Sequence, residues 1–196
     1  MALVYSGVEV QLREVVLRNK PRELIAASAK ATVPVLVLPT GQILEESLAI
    51  IKWALAKNDP NDWSSPSIAR SSDEWIAAND GDFKHWLDRY KYADRHPEQS
   101  AEWYRDQADS HLNQLNEVLA DSQWLHGASM GISDIALFPF IRQFAMVDIG
   151  WFENSRYSAL QRWLHELKDH SLFTAVMQKY SQWSPGEAPT ILVPMH

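Results

Sequence analysis

Hydrophobic and polar positions change rhythm along this chain, and the change divides it. Residues 8-VEVQLREVVL-17 alternate Val8, Val10 and Leu12 with Glu9, Gln11 and Arg13, the period-two pattern of a half-buried strand. In 19-NKPRELIAASAK-30, Pro21 stands where a first helical turn tolerates it, and Ala-rich helix formers follow. The run 33-VPVLVL-38 reads as a buried strand. The turn Pro39-Thr40-Gly41 and a short strand at 42–44 come next. Leu48, Ile51, Trp53 and Leu55 then fall near helical spacing, which predicts a helix over 46–57 that opens at Glu45 or Glu46.

After residue 60 the strand rhythm is gone. The segment 58-NDPNDWSSPS-67 has a linker's composition. Helical periodicity follows over 67–94, 98–120, 131–147, 156–169 and 171–181, interrupted at 95–97, 121–131 and 148–155. The tail 184–196 contains three prolines, two of them in 188-APTILVP-194, and reads as extended. The expected organisation is an α+β domain over residues 1–60 and an all-helical domain over 67–196.

Composition narrows the function classes. The chain has 196 residues, enough for one large or two small domains, with an ordinary 46% hydrophobic and 22% charged residues. It has no cysteine, so no disulfide, thiolate metal site or cysteine nucleophile is available within it. Eighteen Lys and Arg face 25 Asp and Glu, a formal charge of −7 with no basic run, which argues against nucleic acid as a partner. No apolar run reaches the length of about 18 residues that a membrane helix needs. The start, MALVYSGVEV, lacks the basic and apolar regions of a signal peptide, so a cytoplasmic protein is expected. The seven His show no metal-ligand spacing, and no metal is expected. Nine scattered Trp read as anchors of helix packing, and Arg142-Gln143 as a solvent-facing or groove-lining pair.

The stretch 32-TVPVLVLPTGQILEESLAII-51 holds the candidate chemistry. Proline inside a strand removes a ladder donor, so Pro34 calls for a reason beyond packing. A cis bond after Val33 would turn the Val33 N–H and C=O towards an extended peptide ligand; a trans proline at a strand edge is the plainer alternative. At the helix start, free N–H groups and the Ser47 hydroxyl suit a carboxylate, and Glu46 suits an ammonium. Together they suit the α-amino acid end of a small peptide, although each is also an ordinary first-turn residue.

Val33-Pro34 before a hairpin and Glu46-Ser47 at the next helix resemble the glutathione S-transferase family. So does 134-DIALFPFIRQFAMVD-148, which matches the family's helix opening with Ser/Thr-x-x-Asp. Gly131 stands where that family has Ser or Thr, and Asp134 is the matching acid, expected to reach back to the backbone at the helix start. The resemblance implies an N-terminal thioredoxin-like domain and a helical C-terminal domain. It implies a cis Pro34, a Val33 backbone that pairs with the cysteinyl part of glutathione, and Glu46 and Ser47 holding the γ-glutamyl end. It further implies glutathione as co-substrate, a small electrophile or disulfide as acceptor, a homodimer and a role in detoxification, with a non-catalytic interaction or regulatory protein of the same fold as the alternative. Lys20 and Lys30 both stand open as partners of the glycyl carboxylate.

Against the family pattern, the first strand and most of the first helix are missing, and with them the catalytic Tyr, Ser or Cys. Tyr5 does not match that slot, so no catalytic residue is assigned. The thioredoxin-like domain is thus expected to be incomplete, with its central strand absent, two strand edges unpaired, and the native start upstream of Met1.

Overall fold

The computed structural model describes residues 1–192. These divide into two compact units, residues 1–61 with 171–192 and residues 62–170. The segment after residue 170 therefore groups with the N-terminal unit.

The first unit contains α1 (Ala2–Tyr5), β1 (Val10–Leu12), α2 (Arg22–Ala27), β2 (Val35–Val37), β3 (Ile43–Glu45) and α3 (Ser47–Lys57). Its core is small. Ala2 and Val4 of α1 are buried, as are Ile50, Ala54 and Leu55 of α3, which share one face by their helical spacing. The hairpin β2–β3 is antiparallel, with Val35 opposite Glu45, Leu36 opposite Leu44 and Val37 opposite Ile43. Its turn closes through Gly41, at φ +84°, a conformation that glycine adopts without a Cβ penalty.

The strand expected over 8–17 is only three residues long. Its ladder partner is the tail: β1 pairs antiparallel with the tail strand Thr190–Leu192, Val10 facing Leu192 and Leu12 facing Thr190. Trp183 N–H donates to Glu14 C=O at 2.9 Å, and the Arg13 guanidinium lies 4.6 Å from the Trp183 ring centre, so the tail is held at a second point. Beyond Leu12 the ladder does not continue among the described residues, and Val16 and Asn19 close a turn. Among the described residues β1 and β2 do not pair with each other. Leu17, Ile25, Val33, Val37 and Ile43 stay exposed.

In the second unit the periodicity expected over 67–94 breaks into α4 (Ala69–Ala78), a single π-turn at Asn79–Phe83 and α5 (Lys84–Lys91), with the kink at Gly81, φ −87° and ψ −110°. The helix expected over 98–120 is likewise two, α6 (Ala101–Gln107) and α7 (Asp109–Ala120). α8 (Ile132–Val147) buries Ile135, Leu137, Phe138, Ile141 and Phe144, and packs on α4, α5 and α10. The expected break at 148–155 contains the short α9 (Ile149–Glu153), started by Asp148, whose carboxylate accepts from Trp151 N–H at 2.9 Å. α10 (Ser158–Asp169) follows. The helix expected over 171–181 is α11 (Ser171–Val176), which belongs to the first unit; with it, the tail strand is numbered β4.

Asp134 is fully buried at the start of α8. It accepts from Gly131 N–H at 2.9 Å, Leu125 N–H at 3.1 Å and Trp163 Nε1–H at 2.7 Å. Burial pushes its carboxyl up to about 6, although the donors of Trp163, Gly131 and Leu125 pull the other way. The Gly at the cap has a packing reason. A Cβ there would lie 3.2 Å from Ile68 Cδ1 and 3.5 Å from His126 Cδ2. Trp63, Trp124 and Trp163 are buried packing anchors, whereas Trp103 is 40% exposed.

Candidate functional site

The register of the hairpin assembles the site. Because Val35 faces Glu45, Pro34 and Val33 on one strand extension come level with Glu46 and Ser47 on the other. The Val33–Pro34 bond is cis. Among the described residues no backbone hydrogen bond engages Val33, whose side chain is also exposed. Glu46 has φ +71° and ψ 138°, a rare conformation for a residue with a Cβ, and it is the last residue before α3. Among the described residues no side chain caps α3, which leaves its first N–H groups without a capping partner beside the exposed Ser47. The four residues singled out from the sequence thus meet at one end of one hairpin.

Three further residues complete this corner. Ser28, buried, donates its hydroxyl proton to Glu45 Oε1. Ala31 N–H donates to Ser28 C=O at 2.9 Å, and Ala31 takes φ +47°. This turn carries Lys30 to Glu46, Nζ to Oε1 at 3.1 Å, with both side chains well exposed. The hydrogen bond to Glu46, then the charges of Glu46 and Glu45, hold the Lys30 ammonium above its usual value. Lys30, one of the two lysines open in the sequence, lies at this corner through its bond to Glu46. The contact joins residues 16 apart across the β2–β3 hairpin, and no local spacing signals it.

Tyr5 is engaged elsewhere. Its hydroxyl donates to Asp59 Oδ1 at 2.9 Å and accepts from Asn61 N–H at 2.8 Å, which ties α1 to the residues that follow α3. Gln143 accepts from Lys91 at 2.8 Å. Among the described residues no group of three or more His, Asp or Glu side chains could hold a metal ion. No helix among them is long and apolar enough to cross a membrane.

The helical unit has its own cleft of about 380 Å³ at the Gly81 kink, lined by Phe83, Trp86, Gln107, His111 and Gln114 among others. His111 stacks on Phe83, ring centres 4.6 Å apart, and burial pushes its imidazole down to about 4. Its Nε2 is buried without a partner among the described residues.

Comparison with known proteins agrees with this architecture. The glutathione S-transferase N-terminal domain model matches residues 1–63, and the glutathione S-transferase C-terminal domain model matches residues 73–166. Among solved structures, a ternary complex of BphK, a bacterial GST, superposes with a TM-score of 0.74 at 21% identity, over 90% of each chain. A glutathione S-transferase from Rhodospirillum rubrum gives 0.72 at 16% identity, over 96% of this chain and 88% of that one. One from Methylobacillus flagellatus, solved with GSH bound, gives 0.71 at 18% identity, over 88% and 89%. At these identities the likeness shows the fold. Elongation factor 1-gamma of Drosophila melanogaster is 24% identical over 187 residues, which are 92% of this chain and 43% of that protein, so this chain spans less than half of that relative. With both domain models matched in order along its length, the chain belongs to the glutathione S-transferase family.

Proposed function

We propose that this protein binds glutathione at the corner where β2, β3 and α3 meet and transfers it to a small electrophilic or disulfide substrate, as a cytoplasmic homodimer acting in detoxification. The observation that carries the reading is the convergence of Val33, cis Pro34, Glu46 and Ser47 through the Val35–Glu45 register. The Val33 backbone offers an N–H and a C=O to the cysteinyl residue, as an added strand would. The uncapped start of α3 and the Ser47 hydroxyl supply donors for the γ-glutamyl carboxylate. Glu46 supplies an acceptor for the γ-glutamyl ammonium. None of these groups acts on the thiol. Activation of the sulfur is a separate task, and Tyr5, whose hydroxyl is committed to Asp59 and Asn61, is not assigned to it.

A second reading has one specific observation in its favour: the curated relative is named an elongation factor, not a transferase. On that reading the fold serves as a binding module. Thermal melts with and without glutathione, with Ser47→Ala alongside, decide about the ligand site. Glutathione at about 100 times its dissociation constant stabilises by roughly 2.7 kcal/mol, and Ser47→Ala abolishes the shift. A cooperative melt that glutathione leaves unmoved refutes the site. Binding without turnover of a chromogenic aryl halide or a mixed disulfide supports the binding module.

A further inference from the structure

Glu46 already holds a cation. Lys30 Nζ lies 3.1 Å from its Oε1, and the approach is built into the backbone. Ser28 fastens the preceding turn to Glu45, the residue next to Glu46 in β3. The bond from Ala31 N–H to Ser28 C=O closes that turn, and the positive φ of Ala31 shapes its exit. Lys30 is therefore delivered to the same carboxylate that the glutathione reading assigns to the ligand's α-ammonium.

Resting on that reading, we propose that Lys30 is a specificity-determining residue: an internal ammonium that competes with the ligand's own for Glu46. Lysine and an α-ammonium offer the carboxylate the same chemistry, a single positive charge with three N–H donors. A simple amine that arrives at Glu46 exchanges one ammonium for another and gains little. A ligand that also places a carboxylate on Ser47 and the open N–H groups of α3 gains a contact that Lys30 cannot supply. Lys30 thus turns a site for any cation into a site for the zwitterionic end of an amino acid or γ-glutamyl peptide. The competition is modest in size, because the pair is exposed and exposed pairs are weak.

The test is titration calorimetry of the full chain, wild type, Lys30→Met and Ser47→Ala, with glutathione and with glutathione acetylated on its α-amine. Lys30→Met is expected to tighten glutathione about two- to fivefold, the range of an exposed ion pair. It is expected to leave the acetylated ligand unchanged, since an amide does not compete for Glu46. Weaker glutathione binding by Lys30→Met overturns the proposal, because Lys30 would then be a ligand contact. So does equal tightening of both ligands. In those two cases wild-type binding that Ser47→Ala weakens leaves the glutathione reading standing. No binding by wild type or Lys30→Met refutes that reading and this proposal together.

Discussion

Replacing Asp134 by Ala strips the acceptor from three buried donors at once: Gly131 N–H, Leu125 N–H and Trp163 Nε1–H. An unpaired buried donor costs roughly 1–3 kcal/mol, and removing one side of a buried charged network typically costs about 3–5 kcal/mol. The carboxyl's own desolvation offsets part of the sum, so a net loss of about 3–5 kcal/mol is expected. For a chain of this length that lowers the melting temperature by roughly 6–20 °C. The assay is urea unfolding followed by far-ultraviolet dichroism and by tryptophan fluorescence. A double-mutant cycle with Trp163→Phe isolates the indole bond. Alone, Trp163→Phe loses a hydrogen bond and packing. In the Asp134→Ala background it removes an orphaned donor and costs less, a coupling of about 1–3 kcal/mol. pH supplies an independent check. The folded carboxyl lies at about 6, above its ordinary 3.8. The shift therefore stabilises the fold below pH ~4, and this contribution is lost as pH rises through about 6. The stability gap between wild type and Asp134→Ala should narrow over that window. A loss under about 1 kcal/mol, or strictly additive single variants, would refute the assignment of Asp134 as the joint of this unit.

Three further outcomes are expected. Burial holds His111 down to about 4, below the usual 6.5, so the native ring stays neutral while the unfolded ring protonates; stability is full above pH ~6.5 and falls towards pH ~4, and His111→Phe flattens that slope in melts at pH 5 and 7. Gly131→Ser adds a cap hydroxyl but meets Ile68 Cδ1 at 3.2 Å, the far end of a flexible side chain; a change within about 0.5 kcal/mol is expected, and a loss above roughly 1 kcal/mol would show a site too rigid to yield. Ile191→Pro places a proline opposite Gln11, where a paired strand disfavours it; it should raise amide exchange at Val10–Leu12 without changing the amides of α8, and unchanged exchange would show that β4 does not protect β1.

The family pattern was legible where its determinants are local. Val33-Pro34, the Thr40-Gly41 turn and Glu46-Ser47 lie within fifteen residues, and a two-stranded register is enough to bring them together. The same holds for the Asp134 bond to Gly131, a contact within one helical turn. What stayed hidden depends on partners far along the chain. The alternation over 8–17 marks ten residues that could form a strand, yet strand length is set by the partner, and among the described residues only Thr190–Leu192 pairs with it. Nothing in 184–196 announces which strand it will pair with. The break at Gly81 had a local signal, Asn79-Asp80-Gly81-Asp82, that the surrounding helical periodicity outweighed. The divide at Ala108 has no such signal, because alanine favours both helices.

The same contrast bears on the proposed site. Its binding groups are mostly backbone: the Val33 amide, and the N–H groups that every helix start leaves unpaired and that no described side chain caps in α3. Groups of this kind depend on hairpin geometry more than on side-chain identity, which is why a short motif can mark them. Side chains enter where selection between ligands is needed, at Ser47, at Glu46 and at Lys30. Of these, Lys30 reaches the site from another loop, through Ser28 and the Ala31 turn. A residue placed by such a relay can change from one chain to the next without disturbing the hairpin. On this argument the hairpin sets what class of ligand is held, and the loop that carries Lys30 sets how strictly the amino end is read.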